Sequence, residues 1–457
     1  MTVSSVPTQV IVVGAGVFGL STALALAERY PSTKVHVIDR FEPPVVDGTS
    51  VDTTRCLRYD YVNHTYAELA IQSMEKIKRD PEVSKFFRPC GMTFVYDGTH
   101  DKWHNVWEQE MASVSRNSTQ GPDNTNPVIH STVEAVFQNI HGLSERPVSS
   151  ELLGRKHQWC KGYTNNQDGF IDAKKSIDAY YKKCLRYPSI NFTFKEVKEI
   201  VYKEDSVTAE GVKLVDGQVI TGDLVVIAAG AWSCKLVDLE GMCNSTGIEV
   251  SWIKVTKEEE EQWKNMSITT NLSTGINIFP PHEGEIKILR RSPGYKNTTR
   301  VVNPNPFERA VKPNVDISYP RTVATYPQDW IPSEAEKEIR ENLKEIMPSL
   351  YNRPFDRTKL CWITQTTNSN FIIDYHPKLD KVLLATGGSA HAWKFIPVIG
   401  DKIVDFMVGQ LEPTLRDMWS WTEKIGANVD TRSASRLSGE STELHQVVRI
   451  APTYSLE

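Results

Sequence analysis

A glycine-rich turn near the start of the chain has the residue types and spacing of a dinucleotide site. The apolar run VIVV leads into Gly14-x-Gly16-x-x-Gly19 and then into LSTALALA, which predicts a strand, a tight turn and a helix. Glycines let the backbone approach a pyrophosphate at a helix N-terminus, and Asp39, twenty positions after Gly19, can accept hydrogen bonds from a ribose. The pattern predicts dinucleotide binding, and the acid disfavours a 2'-phosphate. A turn that only packs a helix on a sheet is the alternative.

Basic side chains in two further segments could bind an anion. Arg55 and Arg58 lie three positions apart in TTRCLRYDY. A guanidinium can grip a carboxylate with two parallel hydrogen bonds, although beside Asp60 the two arginines could equally form a surface ion pair. In AHAWKF, Lys394 could extend to solvent from the start of a helix, and His391 could hydrogen-bond to a ligand or close a loop.

Two strand-like segments carry a potentially reactive side chain. In EIKILRR, Ile286 and Ile288 point to one side and Lys287 and Leu289 to the other, so Lys287 faces away from an apolar layer. It is either solvated or fixed in a cleft, where its charge would stabilise a developing anion. Cys361 in LCWIT is, taken alone, typical of a buried apolar cysteine.

Together these segments resemble the sarcosine, pipecolate and saccharopine oxidases, N-methyltryptophan oxidase and the fungal fructosyl amino acid oxidases, or amadoriases. The resemblance runs from about Val10 to Gly409. The segments that carry it are VIVVGAGVFGLSTALALA, DTTRCLRYDY, GEIKILRRSPGY, CWITQTTNSNFIIDYHP and LLATGGSAHAWKFIPVIG. The last two, in that order near the C-terminus, are the most specific.

The resemblance implies FAD as cofactor and a role for each reactive residue. Cys361 matches the cysteine that bonds to the 8α-methyl group of FAD, and Lys287 matches a lysine beside flavin N5 that promotes oxygen reduction. Arg58 and Lys394 match the residues that hold the substrate carboxylate, and Arg55 one that lies near the flavin. We expect the FAD site to include Gly14, Gly16, Val17, Phe18, Gly19, Asp39, Arg40, Ser50, Arg55, Val197, Ala229, Gly230, Trp232, Cys361, Gly388 and Lys394.

The resemblance implies oxidation of the carbon–nitrogen bond of an N-substituted L-amino acid, of the fructosyl, saccharopine or N-methyl type. Hydride transfer to the flavin would be followed by reduction of O2 to hydrogen peroxide. Ile363 replaces the tyrosine of the sarcosine oxidases and Asn277 an expected aromatic residue, so the pocket is not a sarcosine pocket. The alternatives are a pathway enzyme whose imine product cyclises, a flavin dehydrogenase with another electron acceptor, and a non-catalytic FAD-binding protein.

The order of elements predicts an α/β fold: a discontinuous Rossmann-type FAD-binding domain joined to an antiparallel-sheet substrate domain. We expect the first domain in 1–90, 150–240 and 365–425 and the second in 91–149 and 241–364. The residues 426–457 are rich in Ser, Thr and charge, which predicts a poorly packed tail.

Short sequence patterns predict where several helices and a hairpin turn begin or end. A helix is predicted from His64 to Asp80, and Asp172 is a good N-cap for another. The dipeptide Asp216-Gly217 predicts a hairpin turn. Ser333 and Glu336 have the spacing of a capping box for a helix that ends at Met347.

Composition excludes several classes of protein. The net charge of −5 gives no bulk reason to expect nucleic acid or a membrane as partner. The seven cysteines are scattered without metal-ligand spacing, which argues against a disulfide framework and structural zinc. The apolar run from Val10 to Ala27 lacks a preceding basic residue and is interrupted by glycines, so a signal peptide is not expected. We expect a monomer inside the cell, cytoplasmic or peroxisomal.

Overall fold

The structure, a computed structural model, describes residues 6–97, 101–118, 127–141, 159–239, 241–421 and 439–451. Within these ranges the chain forms two principal sheets, several small sheets and the helices that cover them. The helices span Val17–Arg29, His64–Arg79, Asp101–Ser118, Val133–Ile140, Ala173–Cys184, Ser233–Leu236, Lys257–Gln262, Ser333–Ile346, Ile396–Met407 and Pro413–Trp419.

A six-stranded, mostly parallel sheet contains the first strand of the chain near its centre. Its order is Ile372–Tyr375, Val382–Thr386, Leu224–Ile227, Gln9–Val13, Lys34–Asp39 and Ile190–Phe194, and only the first of these is antiparallel to its neighbour. The Leu224–Ile227 and Val382–Thr386 strands are buried throughout because packed structure covers both faces. As predicted, this layer is assembled from three separated pieces of the chain.

The second sheet is largely antiparallel and contains ten of the described strands. Its order is Thr442–Glu443, Tyr295–Lys296, Cys243–Lys254, Glu285–Arg290, Ile276–Ile278, Ile268–Asn271, Met92–Asp97, Trp159–Asn165 and Val128–His130, with Arg357–Thr366 paired to Cys243–Lys254. Trp252 is opposite Lys287 and Ile248 is opposite Cys361. Lys287 and Cys361 therefore lie on the two strands that pair with Cys243–Lys254, one on each side of it.

Smaller sheets complete the architecture. They are Val197–Tyr202 with Ala209–Leu214 and Val219–Thr221; Arg55–Leu57 with Gly169–Ile171 and Phe87–Arg88; Thr298–Val302 with Asn314–Ser318; and Asp329–Trp330 with Arg449–Ile450. The Asp216-Gly217 turn is confirmed, since Gly217 has φ +91° between antiparallel strands. Asp172 is confirmed as an N-cap, because its Oδ1 accepts from the Lys175 amide at 3.0 Å. The predicted domain boundaries stay a prediction.

The capping box at Ser333 is wrong. Pro332 is the N-cap of this helix, and no side chain caps it. The Glu336 carboxylate instead accepts hydrogen bonds from Trp330 Nε1 at 3.2 Å and from Arg340 Nη2 at 2.8 Å. These tertiary partners take the oxygens that a capping box would need.

The predicted loose packing of the tail is wrong for residues 439–451, whereas 422–438 lie outside the described residues. Thr442–Glu443 pairs with Tyr295–Lys296, and Leu444 is buried in the apolar cluster beside the large sheet. Arg449 forms an ion pair with Glu336 at 3.0 Å. One buried leucine, short strand pairing and this ion pair hold a segment whose composition suggests disorder.

The described residues include no helix that is long and apolar enough to span a lipid bilayer. The cysteines whose side chains are described, at positions 56, 90, 184, 234, 243 and 361, form no disulfide with one another. Neither a disulfide framework nor a membrane helix is therefore present in this part of the chain.

Candidate active site

One cavity lies along the glycine-rich turn and the inner face of the large sheet. All five residues predicted to take part in catalysis line it: Arg55, Arg58, Lys287, His391 and Lys394. Of the predicted cofactor residues, all but Gly19 line it as well. A Cβ atom at Gly19 would lie 1.8 Å from the Gly14 carbonyl oxygen, so Gly19 lets the helix pack beneath the turn.

The glycine turn has the geometry of a pyrophosphate cradle. Gly14 has φ +110°, and a Cβ atom there would lie 2.3 Å from the Ala228 carbonyl oxygen. At Gly16 a Cβ atom would lie 2.7 Å from Ser50 Oγ. Gly16 is also the N-cap of the Val17–Arg29 helix, which has no side-chain cap and no acid in its first turn. The Val17 amide donates to Ser50 Oγ at 3.0 Å, and the first turn presents no acidic side chain to an anion at the positive end of this helix.

Asp39 closes the turn from the end of the neighbouring strand. Its Oδ2 accepts from the Ala15 amide at 2.7 Å, and its Oδ1 accepts from the Arg40 amide at 2.6 Å. Burial raises the pKa of this carboxyl, and the Ala15 hydrogen bond opposes that effect. A carboxylate has about four acceptor positions, so two stay available for ribose hydroxyls. Turn, helix end and carboxylate together fit the dinucleotide part of FAD.

Cys361 lies half-buried in the cavity wall next to Arg55. The Arg55 Nη2 atom donates to Cys361 Sγ at 3.6 Å and to the Thr49 carbonyl oxygen at 2.7 Å. The other terminal nitrogen of Arg55 forms an ion pair with Asp52. The sulphur is therefore accessible from the cavity and has a fixed cation beside it.

Lys287 is not a solvated strand lysine. Its side chain is 1% exposed, and its Nζ lies 2.7 Å from Asp52 Oδ2 and donates to the Thr54 carbonyl oxygen at 2.7 Å. Burial lowers the pKa of Lys287 to about 8, although Asp52 acts to raise it. Lys287 in turn is the strongest of the charges that hold the pKa of Asp52 below its usual range against burial. The cation is thus fixed at one point of the cavity.

Arg58 is buried in the cavity wall and is not a surface ion pair. Its guanidinium donates to the Asp60 carbonyl oxygen and lies 4.8 Å from the centre of the Tyr61 ring. Burial disfavours its charge, but Tyr61 and Glu110 raise the pKa of Arg58 above its ordinary value. No carboxylate of the described residues forms an ion pair with it, so donors are available for an acidic ligand.

Lys394, Tyr61 and His391 form a buried hydrogen-bonded chain. The Lys394 Nζ donates to Tyr61 Oη at 2.8 Å and to the His391 carbonyl oxygen at 3.1 Å. His391 Nε2 lies 2.8 Å from the Ser369 carbonyl oxygen, which can only accept, so Nδ1, 3.1 Å from Tyr61 Oη, is the acceptor. Burial lowers the pKa of His391 to about 3, and that of Lys394 well below its usual value.

These hydrogen bonds limit the roles that His391 and Lys394 can have in the site. Both ring nitrogens of His391 are engaged within the protein, which favours a supporting role over direct contact with a ligand. An ammonium has three donors, and Lys394 uses two, so one can point to a ligand.

Besides Tyr61, two further residues of the site were not predicted from the sequence. Asp52 joins Arg55 and Lys287, and only its position three residues before Arg55 could have pointed to it. Arg291 lines the cavity beyond Leu289. The alternation that predicts the direction of Lys287 predicts the same direction for Arg291 when it is extended two steps.

A family model described as FAD dependent oxidoreductase matches residues 9–406. The chain belongs to this family. The match covers the six-stranded sheet, every strand of the large sheet except Thr442–Glu443, and the residues that line the cavity, which agrees with the dinucleotide-binding geometry. The chain is therefore an enzyme that uses FAD, as the sequence predicts.

The chain is also similar to individual oxidases of this family. The chain is 29% identical to the amino acid oxidase fsqB of Aspergillus fumigatus over 87% of its own length and 92% of the relative. It is 27% identical to L-saccharopine oxidase of Schizosaccharomyces pombe, over 91% and 93%. A monomeric sarcosine oxidase of a Bacillus species is 24% identical, over 86% and 91%. These matches confirm the resemblance to the amine-oxidising flavoenzymes.

Solved structures support the same assignment. A modified fructosyl peptide oxidase from Aspergillus nidulans superposes with a TM-score of 0.83 and 26% identity, covering 96% of this chain and 98% of that one. The predicted combination of a dinucleotide-binding layer and a large antiparallel sheet is therefore confirmed as the fold of this FAD-dependent oxidoreductase.

Proposed function

We propose that this oxidoreductase oxidises the carbon–nitrogen bond of an N-substituted amino acid and passes the electrons to O2. The observation that carries the proposal is that Arg58 and Lys394, both buried in the cavity wall, have no carboxylate partner among the described residues. A buried cation without a counter-ion is costly, and an amino acid carboxylate supplies the missing charge to Arg58 and favours the protonated form of Lys394. The relatives named as oxidases of saccharopine and sarcosine support this class of substrate.

Arg58 and Lys394 would hold the substrate carboxylate and orient the carbon next to nitrogen towards the flavin. The cationic wall also disfavours an ammonium group, so the substrate binds as the free amine. Fixing the reacting atoms in this way supplies a large part of the rate enhancement. His391 would act indirectly, since through Tyr61 it helps to hold Lys394 in place.

The cofactor would be held by the glycine turn, Asp39 and Cys361. FAD supplies, when bound, the acceptor for the two electrons of the substrate, and the amine becomes an imine that water hydrolyses. We propose a thioether from Cys361 to the 8α-methyl group, because the sulphur faces the cavity beside Arg55. Forming it would break the S–H bond and one C–H bond of the methyl group, and the two electrons and two protons would pass by way of the flavin to O2, giving hydrogen peroxide. Such a bond would retain the flavin through many turnovers.

Lys287 would supply the charge for the reaction with oxygen. O2 takes up two electrons and two protons to give hydrogen peroxide, and negative charge develops on oxygen as the electrons arrive. A fixed cation in a dry cavity stabilises that charge much better than one in water. The burial of Lys287 and its contact with Asp52 thus favour an oxidase over a flavin dehydrogenase that needs another acceptor.

A peroxide-coupled screen tests the reaction. The purified yellow protein is offered sarcosine, pipecolate, saccharopine, fructosyl-lysine, fructosyl-valine and N-methyl aromatic amino acids, each beside the amino acid without its N-substituent. Peroxide should form from at least one substituted compound and more slowly from its unsubstituted partner. Silence across the panel, from protein with bound flavin, would contradict the proposed reaction. Fast dye reduction with slow peroxide formation would indicate a dehydrogenase instead.

A further inference from the structure

Arg291 lies on the cavity wall, farther along the same strand direction as Lys287. Lys287, Leu289 and Arg291 all line the cavity, whereas Ile286 and Ile288 belong to the apolar cluster on the other side. In an extended chain four residues span about 13 Å, so Arg291 lies well away from the point that Lys287 marks. It is placed to contact the distal part of a bound substrate, away from the reacting nitrogen.

The Arg291 guanidinium lacks a partner within the described residues. Its Nη1 is buried and has no acceptor, and its side chain makes no ion pair. Burial, and next the charge of Arg58, lower the pKa of Arg291 to about 10, so it is still charged at neutral pH. Its neighbour Arg290, by contrast, lies 3.6 Å from a Glu249 oxygen. Among the described residues, Arg290, which does not line the cavity, has a carboxylate close by, whereas Arg291, which lines the cavity, forms no ion pair.

Arg58 and Arg291 thus both line the cavity, and neither forms an ion pair with a carboxylate of the described residues. Arg58, Lys394 and Arg291 are near enough that each arginine lowers the pKa of Lys394. Glu110 lies within electrostatic range of Arg291, and its charge acts to raise the pKa of Arg291. Once the α-carboxylate has engaged Arg58 and Lys394, Arg291 still has an unused donor.

We propose that the substrate carries a second carboxylate, on the branch remote from the oxidised bond, and that Arg291 binds it. This inference rests on the proposed function, because it takes the first carboxylate to lie at Arg58 and Lys394. A substrate with a single carboxylate leaves the buried Nη1 donor of Arg291 without an acceptor, and this loss gives selectivity for the diacid. The class is thus N-substituted amino acids whose second branch ends in an acid.

Matched substrate pairs test the inference. The first set consists of amino acids with an N-carboxyalkyl branch of increasing length, each beside its primary amide, which has the same shape without the charge. The wild type should prefer the acid by about 10- to 100-fold in kcat/KM, the size of a charge-assisted hydrogen bond. Arg291→Gln should lower kcat/KM for the acid much more than for the amide and so remove most of this preference. Arg291→Lys should keep part of it, and exposed Arg300→Gln all of it.

A binding measurement gives an answer that does not depend on turnover. Glutarate, adipate and pimelate are titrated calorimetrically into the flavin-containing wild type and into Arg291→Gln, beside their monoamides. At least one diacid should bind the wild type about 10-fold tighter than its monoamide, and Arg291→Gln should abolish the difference. Equal binding, or a preference that survives Arg291→Gln, would overturn the inference.

The two proposals fail in different ways. Oxidation of amines without any preference for the acid, together with equal binding of diacids and monoamides, overturns the role of Arg291 and leaves the proposed reaction standing. Diacid binding that depends on Arg291, in a protein that oxidises none of the amines, supports the anion site and overturns the proposed reaction.

Discussion

The Nζ atom of Lys287 lies 2.7 Å from Oδ2 of Asp52, and both side chains are 1% exposed. Asp52 also pairs with Arg55, whose other terminal nitrogen reaches the sulphur of Cys361. A single buried carboxylate thus positions the lysine assigned to oxygen chemistry and the arginine beside the cysteine assigned to flavin attachment. Removing one member of such a group leaves a buried charge without its partner, which is strongly destabilising.

Replacing Lys287 with methionine should slow the oxygen reaction specifically. The substitution keeps the side-chain volume and removes the charge, so reoxidation of the reduced enzyme by O2 should fall by about 100-fold or more. Reduction by substrate without oxygen should change much less. Stopped-flow absorbance separates the two half-reactions. Lys254→Met, at an exposed position on the adjacent strand, is the matched control, and unchanged reoxidation in Lys287→Met would contradict the assigned role.

Asp52→Asn should shift the pH dependence of the oxygen reaction. Lys287 is cationic below its pKa of about 8, so reoxidation by the wild type should slow as the pH rises past that value. Asp52 acts to raise this pKa, and without its charge the decline should begin about one to three pH units lower. Rates measured between pH 5 and 9 test the shift. Exposed Asp316→Asn should behave like the wild type, and an identical profile for Asp52→Asn would exclude the coupling.

Arg58→Gln should weaken the use of substrate by removing the main carboxylate contact. Loss of one partner from a buried charged pair costs about 2–5 kcal/mol, which corresponds to a loss in kcat/KM of about 30-fold or more. Arg58→Lys should recover only part of it, because an ammonium cannot form two parallel hydrogen bonds with a carboxylate. Steady-state kinetics on the best substrate provide the measurement, with Arg300→Gln as control. Activity close to the wild-type level in Arg58→Gln would show that Arg58 does not bind the substrate carboxylate.

Cys361→Ser should release the flavin from the polypeptide. After acid precipitation the wild-type pellet should stay yellow, whereas the Cys361→Ser pellet should be colourless and its supernatant yellow. A hydroxyl cannot form the thioether but fills nearly the same space. Cys56→Ser is the control, because Cys56 lines the same cavity and is also half-buried. Colour that leaves the wild-type protein in acid would show that the flavin is bound without a covalent link.

The local part of the fold was predictable because its signals are local. The glycine spacing, the alternation around Lys287 and the N-cap at Asp172 each depend on a few consecutive residues. The capping box at Ser333 failed because Trp330, Arg340 and Arg449 engage Glu336. The prediction of a poorly packed tail failed for residues 439–451 because a strand and an apolar cluster that are distant in sequence contact this segment.

The arrangement of the site depends on contacts that no local pattern records. Lys394 and Tyr61 are 333 positions apart, yet the hydrogen bond between them fixes the lysine. The resemblance to known oxidases brought Lys394 into the prediction, but Tyr61 and Asp52 carry no signal of their own. Arg291 did carry one, since it continues the alternation of Lys287 and Leu289 into the cavity.

The most direct test of the account is an anaerobic titration of the purified protein with the best N-substituted amino acid from the screen. The visible flavin absorbance should be lost with one equivalent of substrate. Admitting O2 should then restore it and release one equivalent of hydrogen peroxide. A flavin that keeps its absorbance with every such amino acid, although the protein is folded and yellow, would contradict the claim that this cavity oxidises a carbon–nitrogen bond.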